Sequence, residues 1–596
     1  MIVPIDKHIE FYKAEYAKQW QEWELYIQTQ IRLLLVSKER EMYISSVWGI
    51  EPKSDLLILK VRNISKPRLN QPYFLGVIGA NAIDNPKNWK ITYKEFRERK
   101  TNNFYSGLGE AIVPISIWKS EGDFIYFMCE VLDDTKLVIM KNAFLDKGIK
   151  PLALIAEGDP PLNYLLNLKE HLETNPESII GNLGMNAEQN WTPVNLDNSK
   201  DLTVEINAHI DANHHTIIQG PPGTGKSYLA AQLANQAIKK NKSVLICALA
   251  NKALIEIANQ KPLKGALEEE KLFKSSLSNI EKKQLPKLQK AASLNPSQGQ
   301  ILLTTYFALS DFLKNYGEVV HRFDLLIIEE ASQAFLATIS FFSKYAKSVL
   351  VLGDHMQLPP VVSLEKRQRK KIDLNLDVVI SGLETFALNN SEISFRLTKT
   401  RRLTAASAKN TGVFYDNALE SISDIQTPIS HINEFQKIFD PMGGQSDVFL
   451  PIGLSLLNNG RFLETLTDIV NGLLSISKNV TVGLIAAKKD FEKALYLHFF
   501  DQNVNAGRIH LSTVHRSQGM TVDYCIFFMP LEATHMDLDS KLFNVATSRA
   551  KKGTCIITKE SFGLMSGVSS EVLSIVSNSV NVTPSFLSLL EKEVDF

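Results

Sequence analysis

An eight-residue stretch of the chain contains the residue types of a phosphate-binding loop. It reads Gly220-Pro221-Pro222-Gly223-Thr224-Gly225-Lys226-Ser227. Glycine carries no Cβ, so its backbone N–H can approach phosphate oxygens closely. Apolar positions after the loop recur at helical spacing, and a helix N-terminus there adds partial positive charge. We predict an ATP site in which Lys226 reaches the β- and γ-phosphates and Ser227 binds Mg²⁺.

Two adjacent carboxylates, Glu329 and Glu330, follow the apolar segment LLII at 325–328. A buried strand does not accommodate unpaired charge, so both acids must lie where the strand leaves the core. A phosphate-binding loop needs an acidic strand beside it. We therefore assign Glu329 to the hydration shell of Mg²⁺ and Glu330 to the attacking water. A helix N-terminus enriched in acids gives the same pattern, but the loop upstream favours the catalytic interpretation.

A glutamine, Gln357, follows the next apolar segment, within the stretch GDHMQLPP at 353–360. Beside the predicted ATP site, its amide is suited to sense the γ-phosphate. Pro359 and Pro360 prevent a helix from starting at this point.

The segments that position these residues are short, apolar and rich in β-branched side chains. They read TIIQ, SVLICAL, QILLTTY, DLLIIE and SVLVLG, and helical patterns separate most of them. Such segments are typical of strands buried on both faces of a parallel sheet. After about residue 380 the alternation resumes with FRLTK, TVGLIAA, RIHLST, YCIFFM and GTCIIT. We predict two α/β units in tandem.

The N-terminal third has a different pattern. Residues 7–36 are predicted to be helical, with an aromatic stripe of Tyr12, Tyr16, Trp20 and Trp23, continued by Ile27. Packing is the favoured role of this stripe, and base stacking is the alternative. From 42 to 160, short segments such as DFIYFMCEVL and TKLVIM predict a β-rich, barrel-like unit. Further helices are predicted at 159–185 and 260–298.

The composition gives no sign of a strongly charged partner. Among 596 residues, Lys+Arg and Asp+Glu both total 65, so the formal net charge is zero. Any basic surface that binds nucleic acid must therefore be confined to part of the chain. The run EKRQRKK at 365–371 fits either a solvated loop or a phosphate contact. Four cysteines without ligand spacing predict small buried hydrophobes rather than a zinc site: Cys129, Cys247, Cys525 and Cys555. The N-terminus lacks a signal peptide pattern and no apolar segment is long enough to span a bilayer, so we expect a soluble, cytoplasmic protein with no membrane partner.

The order of these motifs carries a family resemblance. GPPGTGKS, EEASQA and GDHMQLPP resemble motifs I, II and III of superfamily 1 helicases, with the closest likeness to the Upf-like branch. The resemblance covers about 195–560. It implies two tandem RecA-like P-loop domains, at 191–378 and 379–596. A helical stalk and a β-barrel module at 1–190 precede them by similarity of layout.

Motifs in the second half continue the resemblance. TRRL at 400–403 resembles motif IV, STVHRSQGMT at 512–521 motif V, and NVATSRAK at 544–551 motif VI. The likeness implies that Arg402 and Arg549 reach across a cleft to the γ-phosphate, where guanidinium groups stabilise developing charge. It also implies nucleotide contacts from two residues of motif V and single-strand contacts from three others: Gln518 and Gly519, and Asn251, Thr305 and Thr513.

The chain departs from the Upf-like pattern at several positions. Upf-like members usually have Asp at the position of Glu329, and an adenine-reading Gln at that of Lys200. They have Ala-Pro-Ser-Asn where this chain has ALAN at 248–251. Thr521 replaces a common Glu, and the sequence at 515–523 is similar to RecD-like and Dda-like DNA helicases. Both groups move 5′ to 3′, so the resemblance implies that direction and leaves DNA or RNA open.

These features predict a nucleic-acid-stimulated ATPase that acts as a 5′-to-3′ helicase or translocase on single-stranded DNA or RNA. The first alternative is a helicase-like ATPase whose nucleotide state recruits or releases a protein partner without unwinding. A second is a scaffold that binds nucleotide without hydrolysis. The retained Lys226, Glu330, Gln357 and Arg549 argue against it. A third is a fused nuclease, for which 1–190 offers no convincing metal–carboxylate constellation.

Overall fold

The structure is a computed structural model that describes residues 3–37, 42–51, 56–62, 72–79, 90–98, 110–121, 123–131, 133–146, 148, 150–175, 193–196, 202–315, 322–425, 433–450, 459–500, 508–529, 539–559 and 568–591. These ranges form a long N-terminal helix, a closed β-barrel and two parallel sheets flanked by helices. The helix Ile5–Gln28 is called the stalk helix below, and the two sheets with their helices are the first and second α/β units.

The first α/β unit is built on a nine-stranded sheet whose strand pairings are all parallel. Its strands lie in the order Gln289–Lys290, Leu272–Lys274, Ile301–Thr305, Val244–Ala248, Phe323–Ile328, Ala346–Gly353, His215–Gln219, Ser394–Arg396 and Val194–Asn195. The phosphate-binding loop, the two acids and Gln357 follow three neighbouring strands. Because carboxyl ends of parallel strands share one edge of a sheet, these residues converge there.

Both faces of this sheet are covered by apolar side chains. Along the strand Val244–Ala248, Leu245 and Cys247 pack into one hydrophobic cluster, whereas Val244 and Ile246 pack into a second. Strands buried on both faces have nearly continuous apolar sequences, because neither face can be polar. The prediction of a doubly covered parallel sheet is therefore confirmed for this segment.

The strand Ser394–Arg396 belongs to the first sheet. It pairs in parallel with His215–Gln219, the strand that leads into the phosphate-binding loop. The sequence interpretation that FRLTK begins the strands of the second unit is therefore wrong. Its apolar pattern suits either sheet, and only the tertiary pairing decides between them.

The second α/β unit is built on a six-stranded parallel sheet. Its strands lie in the order Ile509–Thr513, Val482–Ala486, Val522–Phe528, Ala550–Lys559, Gln445–Leu450 and Val580–Asn581. Ile485 and Phe527 pack on one face, and Leu484 and Ile526 pack on the other. A short parallel pair, Lys399–Thr400 with Glu420–Ser421, lies apart from both sheets.

The predicted barrel is a closed, six-stranded antiparallel barrel. Its strands lie in the order Met42–Ile50, Leu57–Arg62, Phe124–Cys129, Glu110–Glu121, Pro72–Gly79 and Pro151–Glu157. Along Phe124–Cys129 every second side chain is buried, as a strand with one covered face requires.

The segment TKLVIM, expected to be a barrel strand, is instead part of the helix Asp134–Leu145. The Asp133 side chain accepts a hydrogen bond from Lys136 N at 2.9 Å and caps the helix. Leu137, Met140 and Phe144 then bury one helical face. A short apolar run alone does not separate a strand from a buried helix, and the cap was the overlooked signal.

Two predicted helices differ in extent from those observed. The helix expected at 159–185 spans Asn163–Thr174, and residues 176–192 lie outside the described residues. The segment 260–298 is largely not helical, because its short helices alternate with strands that extend the first sheet. Most of its charged residues are exposed, on turns as well as on helices, whereas Lys274 and Glu281 are buried.

The helices around the barrel and stalk are Ile5–Gln28, Ile31–Val36, Tyr93–Glu98, Asp134–Leu145 and Asn163–Thr174. Those of the first α/β unit are Leu202–Ala212, Lys226–Lys239, Asn251–Ala258, Lys264–Glu268, Asn279–Gln284, Tyr306–Asn315, Leu336–Ser343, Lys366–Ile372, Asp377–Ile380 and Gly382–Leu388. Those of the second are Ala405–Gly412, Gly460–Ser475, Lys489–Phe500, Ser540–Thr547, Ser570–Asn578 and Thr583–Glu591.

The stalk helix joins the first α/β unit to the barrel. Near its start, Tyr12 packs edge-on against Phe335 of the first unit. One turn later, the buried Glu15 carboxylate accepts hydrogen bonds from the backbone of Ser363 and Leu364, at 2.5 and 2.9 Å. At the other end, Tyr26 Oη accepts one from Glu157 N of the barrel at 3.1 Å. The helix therefore fixes the barrel relative to the sheet.

A second link between the barrel and the first unit is a buried charge cluster. Glu130, directly after the barrel strand Phe124–Cys129, accepts a hydrogen bond from Ser278 Oγ. Lys274 Nζ lies 3.1 Å from a carboxylate oxygen of Glu281. Burial and the neighbouring Glu281 carboxylate raise the pKa of Glu130 to about 7, although Lys274 opposes the shift.

Glu130→Gln should remove a pH-dependent loss of stability. The unfolded chain ionises this carboxyl near its ordinary pKa of 4.5, whereas the folded protein keeps the proton up to about pH 7. The folded state thus binds more protons between these values, so the free energy of unfolding falls as pH rises from about 4.5 to 7. Urea unfolding across this pH range should show a smaller fall in the free energy of unfolding for Glu130→Gln than for the control Glu268→Gln, at an exposed position. An equal fall would contradict the assignment.

Candidate nucleotide site

The backbone of the phosphate-binding loop has the conformation that its glycines permit. Gly223 and Gly225 have φ of 77° and 89°, a region that side-chain-bearing residues rarely adopt. Gly220 N donates to Gly353 O at 3.0 Å and anchors the loop on the neighbouring strand. The helix Lys226–Lys239 begins within the last two residues of the loop, so its free N–H groups face the rest of the loop. This arrangement suits an anion.

The polar side chains of the loop are folded onto its own carbonyl groups. Lys226 Nζ donates to Gly220 O at 2.5 Å, and Thr224 Oγ1 donates to Pro221 O at 2.9 Å. Burial lowers the pKa of Lys226, and the nearby Asp354 carboxylate opposes that shift. A buried ammonium group close to a helix N-terminus is a suitable partner for a phosphate chain.

Glu329 contacts the loop directly. Ser227 Oγ donates to Glu329 Oε1 at 2.7 Å, while Tyr306 Oη donates to Glu329 O at 2.6 Å. The side chain is 3% exposed, and burial together with the Glu330 carboxylate raises its pKa to about 7, against the effect of the Ser227 hydrogen bond. The longer Glu side chain, in place of the usual Asp, thus still reaches Ser227.

Glu330 occupies a turn with unusual backbone geometry. Its φ of 56° and ψ of 38° lie in the left-handed region, which is uncommon for a residue with a side chain. Gln333 Nε2 donates to Glu330 Oε2 at 2.8 Å and orients the carboxylate. Burial raises the pKa of Glu330, whereas Lys226 and Arg549 lower it. The two adjacent acids therefore have different partners.

Gln357 belongs to a buried network that sequence reasoning missed. Its Nε2 donates to Asp354 Oδ2 at 3.1 Å, and Tyr415 Oη donates to the same oxygen at 2.9 Å. Asn544 Nδ2 donates to Tyr415 Oη and to Met356 O, both at 2.8 Å. The network joins motifs III and VI across the two units. Asp354 lies in the GDHMQLPP stretch, and an acid directly after a buried strand was the available signal.

Tyr415→Phe should reduce the free energy of unfolding by about 1–3 kcal/mol, because it leaves the buried Asp354 carboxylate and the Asn544 amide short of a partner. The ring itself is retained, so no cavity forms. Urea unfolding at a fixed pH measures the loss. The matched control is Tyr228→Phe, since Tyr228 is 42% exposed. A loss no larger than that of the control would show that the hydroxyl contributes little.

Arg402 lies against the phosphate-binding loop. Thr400 Oγ1 donates to Pro222 O at 2.8 Å, and Arg401 N donates to Gly223 O at 2.9 Å. A Cβ on Gly223 would overlap Arg402 Cβ, so glycine is required there. Burial and the neighbouring Arg549 guanidinium lower the pKa of Arg402 to about 9.

Arg549 reaches the same cleft from the second unit. It is 1% exposed, and its Nη2 donates to Ser548 Oγ at 2.9 Å. Burial lowers its pKa, whereas the carboxylates of Asp354 and Glu330 raise it. A guanidinium group in this position can donate hydrogen bonds to negative charge that develops nearby.

The two motif V residues lie at the junction of the units. Gln518 Nε2 donates to Leu358 O of the first unit at 3.2 Å. Gly519 has φ of 73°, and a Cβ there would lie 3.7 Å from Glu330 Oε1. Gly519 is therefore close to Glu330 of motif II, whereas Gln518 contacts the stretch of motif III.

The three residues implied in single-strand contacts lie at or just after the carboxyl ends of strands. Asn251 is exposed at the start of the helix Asn251–Ala258. Thr305 and Thr513 are the last residues of strands in the first and second sheets, and Thr513 is only 6% exposed. None of the three has a hydrogen bond to the phosphate-binding loop within the described ranges. Lys200 lies outside the described residues.

The four cysteines are buried and free, which confirms their role as small apolar side chains. The run at 365–371 forms the helix Lys366–Ile372 with Glu365 as its cap. No group of three or more His, Cys, Asp or Glu residues that could hold a metal occurs within the described ranges. Nor does any helix in those ranges have the length and apolar character needed to cross a membrane.

Comparisons with known proteins agree with the motif order. A family model described as an AAA domain matches residues 205–365, which carry motifs I to III. The "DNA replication ATP-dependent helicase/nuclease dna2" of Schizosaccharomyces pombe is 23% identical over 441 residues, or 66% of this chain and 29% of that protein. The "ATP-dependent helicase upf1" of the same organism is 23% identical over 402 residues, or 57% of this chain and 42% of that protein.

Two further likenesses cover other shares of the chain. The "DNA-binding protein SMUBP-2" of Mesocricetus auratus is 26% identical over 204 residues, covering 25% of this chain and 20% of that protein. An Arterivirus nonstructural protein 10 (helicase) structure is 12% identical with a TM-score of 0.35, covering 90% of this chain and 80% of that one. That likeness is too distant to add to the fold described above.

The chain spans less than half the length of each curated relative named here. Taken together, these relatives confirm the resemblance to superfamily 1 helicases of the Upf-like branch. The likeness of motif V to RecD-like and Dda-like helicases stays a prediction.

Proposed function

We propose that this chain, a relative of the Upf-like superfamily 1 helicases, is an ATP-dependent helicase or translocase that moves 5′ to 3′ on single-stranded DNA or RNA. One observation carries the proposal. The loop at 220–227, the acids of one sheet and an arginine of the other lie in a single cleft, where Gly223 contacts Arg402 and Glu330 lies near Arg549. The two α/β units are the two RecA-like domains of this motor.

ATP hydrolysis in this cleft divides among the chain's own side chains. Lys226 leaves the Gly220 carbonyl and binds the β- and γ-phosphates. Glu330, oriented by Gln333, holds the attacking water and accepts its proton. Arg402 and Arg549 stabilise the charge on the transferring phosphoryl group. Gln357, held by Asp354, contacts the γ-phosphate and relays its presence to the network between the units.

The residues beside the loop also fit a magnesium ion. Glu329 Oε2 is buried and has no hydrogen-bond partner among the described residues, whereas Oε1 bonds Ser227 Oγ. An unpaired buried carboxylate oxygen beside a hydroxyl is a donor set that a hard cation accepts. Ser227 and Glu329 would hold Mg²⁺, which would neutralise phosphate charge when bound.

Single-stranded nucleic acid lies across the carboxyl edges of both sheets. Asn251, Thr305 and Thr513 line this track, which grips phosphates and sugars with weak sequence preference. Hydrolysis changes the contacts of Arg549 with the nucleotide, and the units then shift relative to each other. The direction 5′ to 3′ rests on the resemblance, since both related groups share it.

Steady-state ATPase rates with single-stranded RNA, single-stranded DNA and no polymer test this proposal. Strand displacement from duplexes with a 5′ or a 3′ overhang is measured alongside. We expect polymer-stimulated hydrolysis and displacement from the 5′ overhang, and Lys226→Ala should lack both. Stimulation without displacement would favour a nucleotide-state switch that acts on a protein partner. No hydrolysis under any condition, or unchanged hydrolysis in Lys226→Ala, would refute the proposed site.

A further inference from the structure

The aromatic stripe of the stalk helix is divided into two parts. Tyr12 and Trp23 are buried, as expected of a packing face, but Trp20 is 44% exposed and Tyr16 is half-buried. The rings of Tyr16 and Trp20 stack on each other, with centroids 6.4 Å apart and planes 11° from parallel. Core packing does not account for a stacked aromatic pair whose outer ring faces solvent.

This pair forms one wall of an open cavity of about 290 Å³. The other walls are the turn after the barrel, at 159–164, and the helix Tyr306–Asn315 of the first α/β unit. Its size is near the lower end of small-molecule pockets, about 300–1,000 Å³, and suits one planar ring system. Its lining includes the side chains of Tyr16, Trp20, Phe307 and Asp311.

One carboxylate of this cavity has capacity for a further hydrogen-bond donor. Both oxygens of Asp159 accept from Arg97, at 2.5 and 2.9 Å, so that charge is neutralised. Asp311 instead accepts one neutral hydrogen bond, from Asn167 Nδ2 at 2.8 Å. A carboxylate accepts about four hydrogen bonds. A flat ring with N–H groups on its edge therefore matches the aromatic wall and the carboxylate together.

The cavity opens beside the proposed nucleic-acid track. Phe307 lies two residues after Thr305, on the helix that starts at the carboxyl end of the strand Ile301–Thr305. Lys13 is exposed one turn before Tyr16 on the stalk helix, where it can meet a phosphate outside the cavity. A strand that passes Thr305 can thus insert one base while its backbone stays in solvent.

We infer that Tyr16, Trp20 and Asp311 form a subsite for a single unpaired nucleobase, with preference for guanine. Guanine presents adjacent N–H donors on its pairing edge, which one carboxylate can accept, whereas thymine offers a single one. This inference rests on the proposed function. It makes the stalk helix part of the nucleic-acid interface as well as a support for the barrel.

The test is an abasic scan on the full chain. Affinity is measured for short single-stranded oligonucleotides that carry one abasic position in turn, and wild type is compared with Trp20→Ala. Base stacking on an aromatic ring contributes enough that we expect a loss of about 5- to 20-fold, both for one abasic position and for Trp20→Ala. In Trp20→Ala that abasic position should cause no further loss. Trp20→Phe, which retains a ring, should restore most of the affinity.

Two further variants distinguish loss of the base subsite from a general effect of mutating the stalk helix on binding. Leu25→Ala, at a 68% exposed position on the same helix, should bind like wild type. Asp311→Asn should reduce the guanine-over-thymine preference at the sensitive position about 5-fold or more. If Trp20→Ala binds every oligonucleotide as wild type does, the subsite is refuted and the proposed function stands. If wild type binds no oligonucleotide, both fail.

Discussion

Glu330→Gln should lower steady-state ATP hydrolysis by about 10²- to 10⁴-fold, the range that general base catalysis contributes. The amide has nearly the shape of the carboxylate but cannot accept the proton of the attacking water. Its carbonyl oxygen can still accept the hydrogen bond from Gln333. Nucleotide binding should therefore persist, and the variant should retain ATP without turnover.

The environment of Glu330 means that this substitution should change catalysis without destabilising the fold. Burial raises the pKa of the carboxyl, so a neutral amide costs the fold nothing in charge desolvation. ATPase rate and binding of labelled ATP are measured together on the same preparation. Glu268→Gln, at an exposed position, is the matched control. Turnover within a few-fold of wild type would assign the water-activating role to another residue.

Arg549→Ala should lower ATP hydrolysis by about 10³- to 10⁵-fold, the contribution of an arginine that stabilises phosphoryl transfer. Arg549→Lys should not restore the rate, because an ammonium group lacks the planar fork of donors. The neighbouring exposed Lys551 offers the control, Lys551→Ala.

Arg549 is almost fully buried, so its replacement can also change stability. Thermal unfolding without nucleotide identifies a variant that fails to fold. Retained ATP binding with lost turnover would separate catalysis from folding. A folded Arg549→Ala variant that hydrolyses ATP at the wild-type rate would remove this arginine from the mechanism.

Local chemistry made much of the site predictable from sequence. A phosphate-binding loop needs its glycines, its lysine and its serine within one short stretch, so GPPGTGKS can be recognised without a structure. The acids and Gln357 follow apolar strands, and parallel strands bring such ends together. The contacts of Ser227 with Glu329 and of Gln357 with Asp354 agree with that expectation, while their catalytic roles stay predictions.

What sequence could not give depends on contacts between distant segments. The network of Asp354, Tyr415 and Asn544 joins residues from three regions, and no local pattern encodes their proximity. The strand Ser394–Arg396 fits either sheet by its composition. TKLVIM is apolar enough for a strand, and only the cap at Asp133 and packing on one face make it helical.

The path of the chain after Ser394–Arg396 gives the two arginines unequal freedom. Arg402 is the sixth residue after the end of that strand, and Thr400 and Arg401 are hydrogen-bonded to the loop itself. Arg402 is thus held against the first α/β unit, beside the phosphate-binding loop. Arg549 immediately precedes the strand Ala550–Lys559 and therefore belongs to the second α/β unit. Of the two arginines, only Arg549 would then change its distance from the loop when the gap between the two α/β units changes. Arg549 would thereby couple the state of the phosphates to movement of the units.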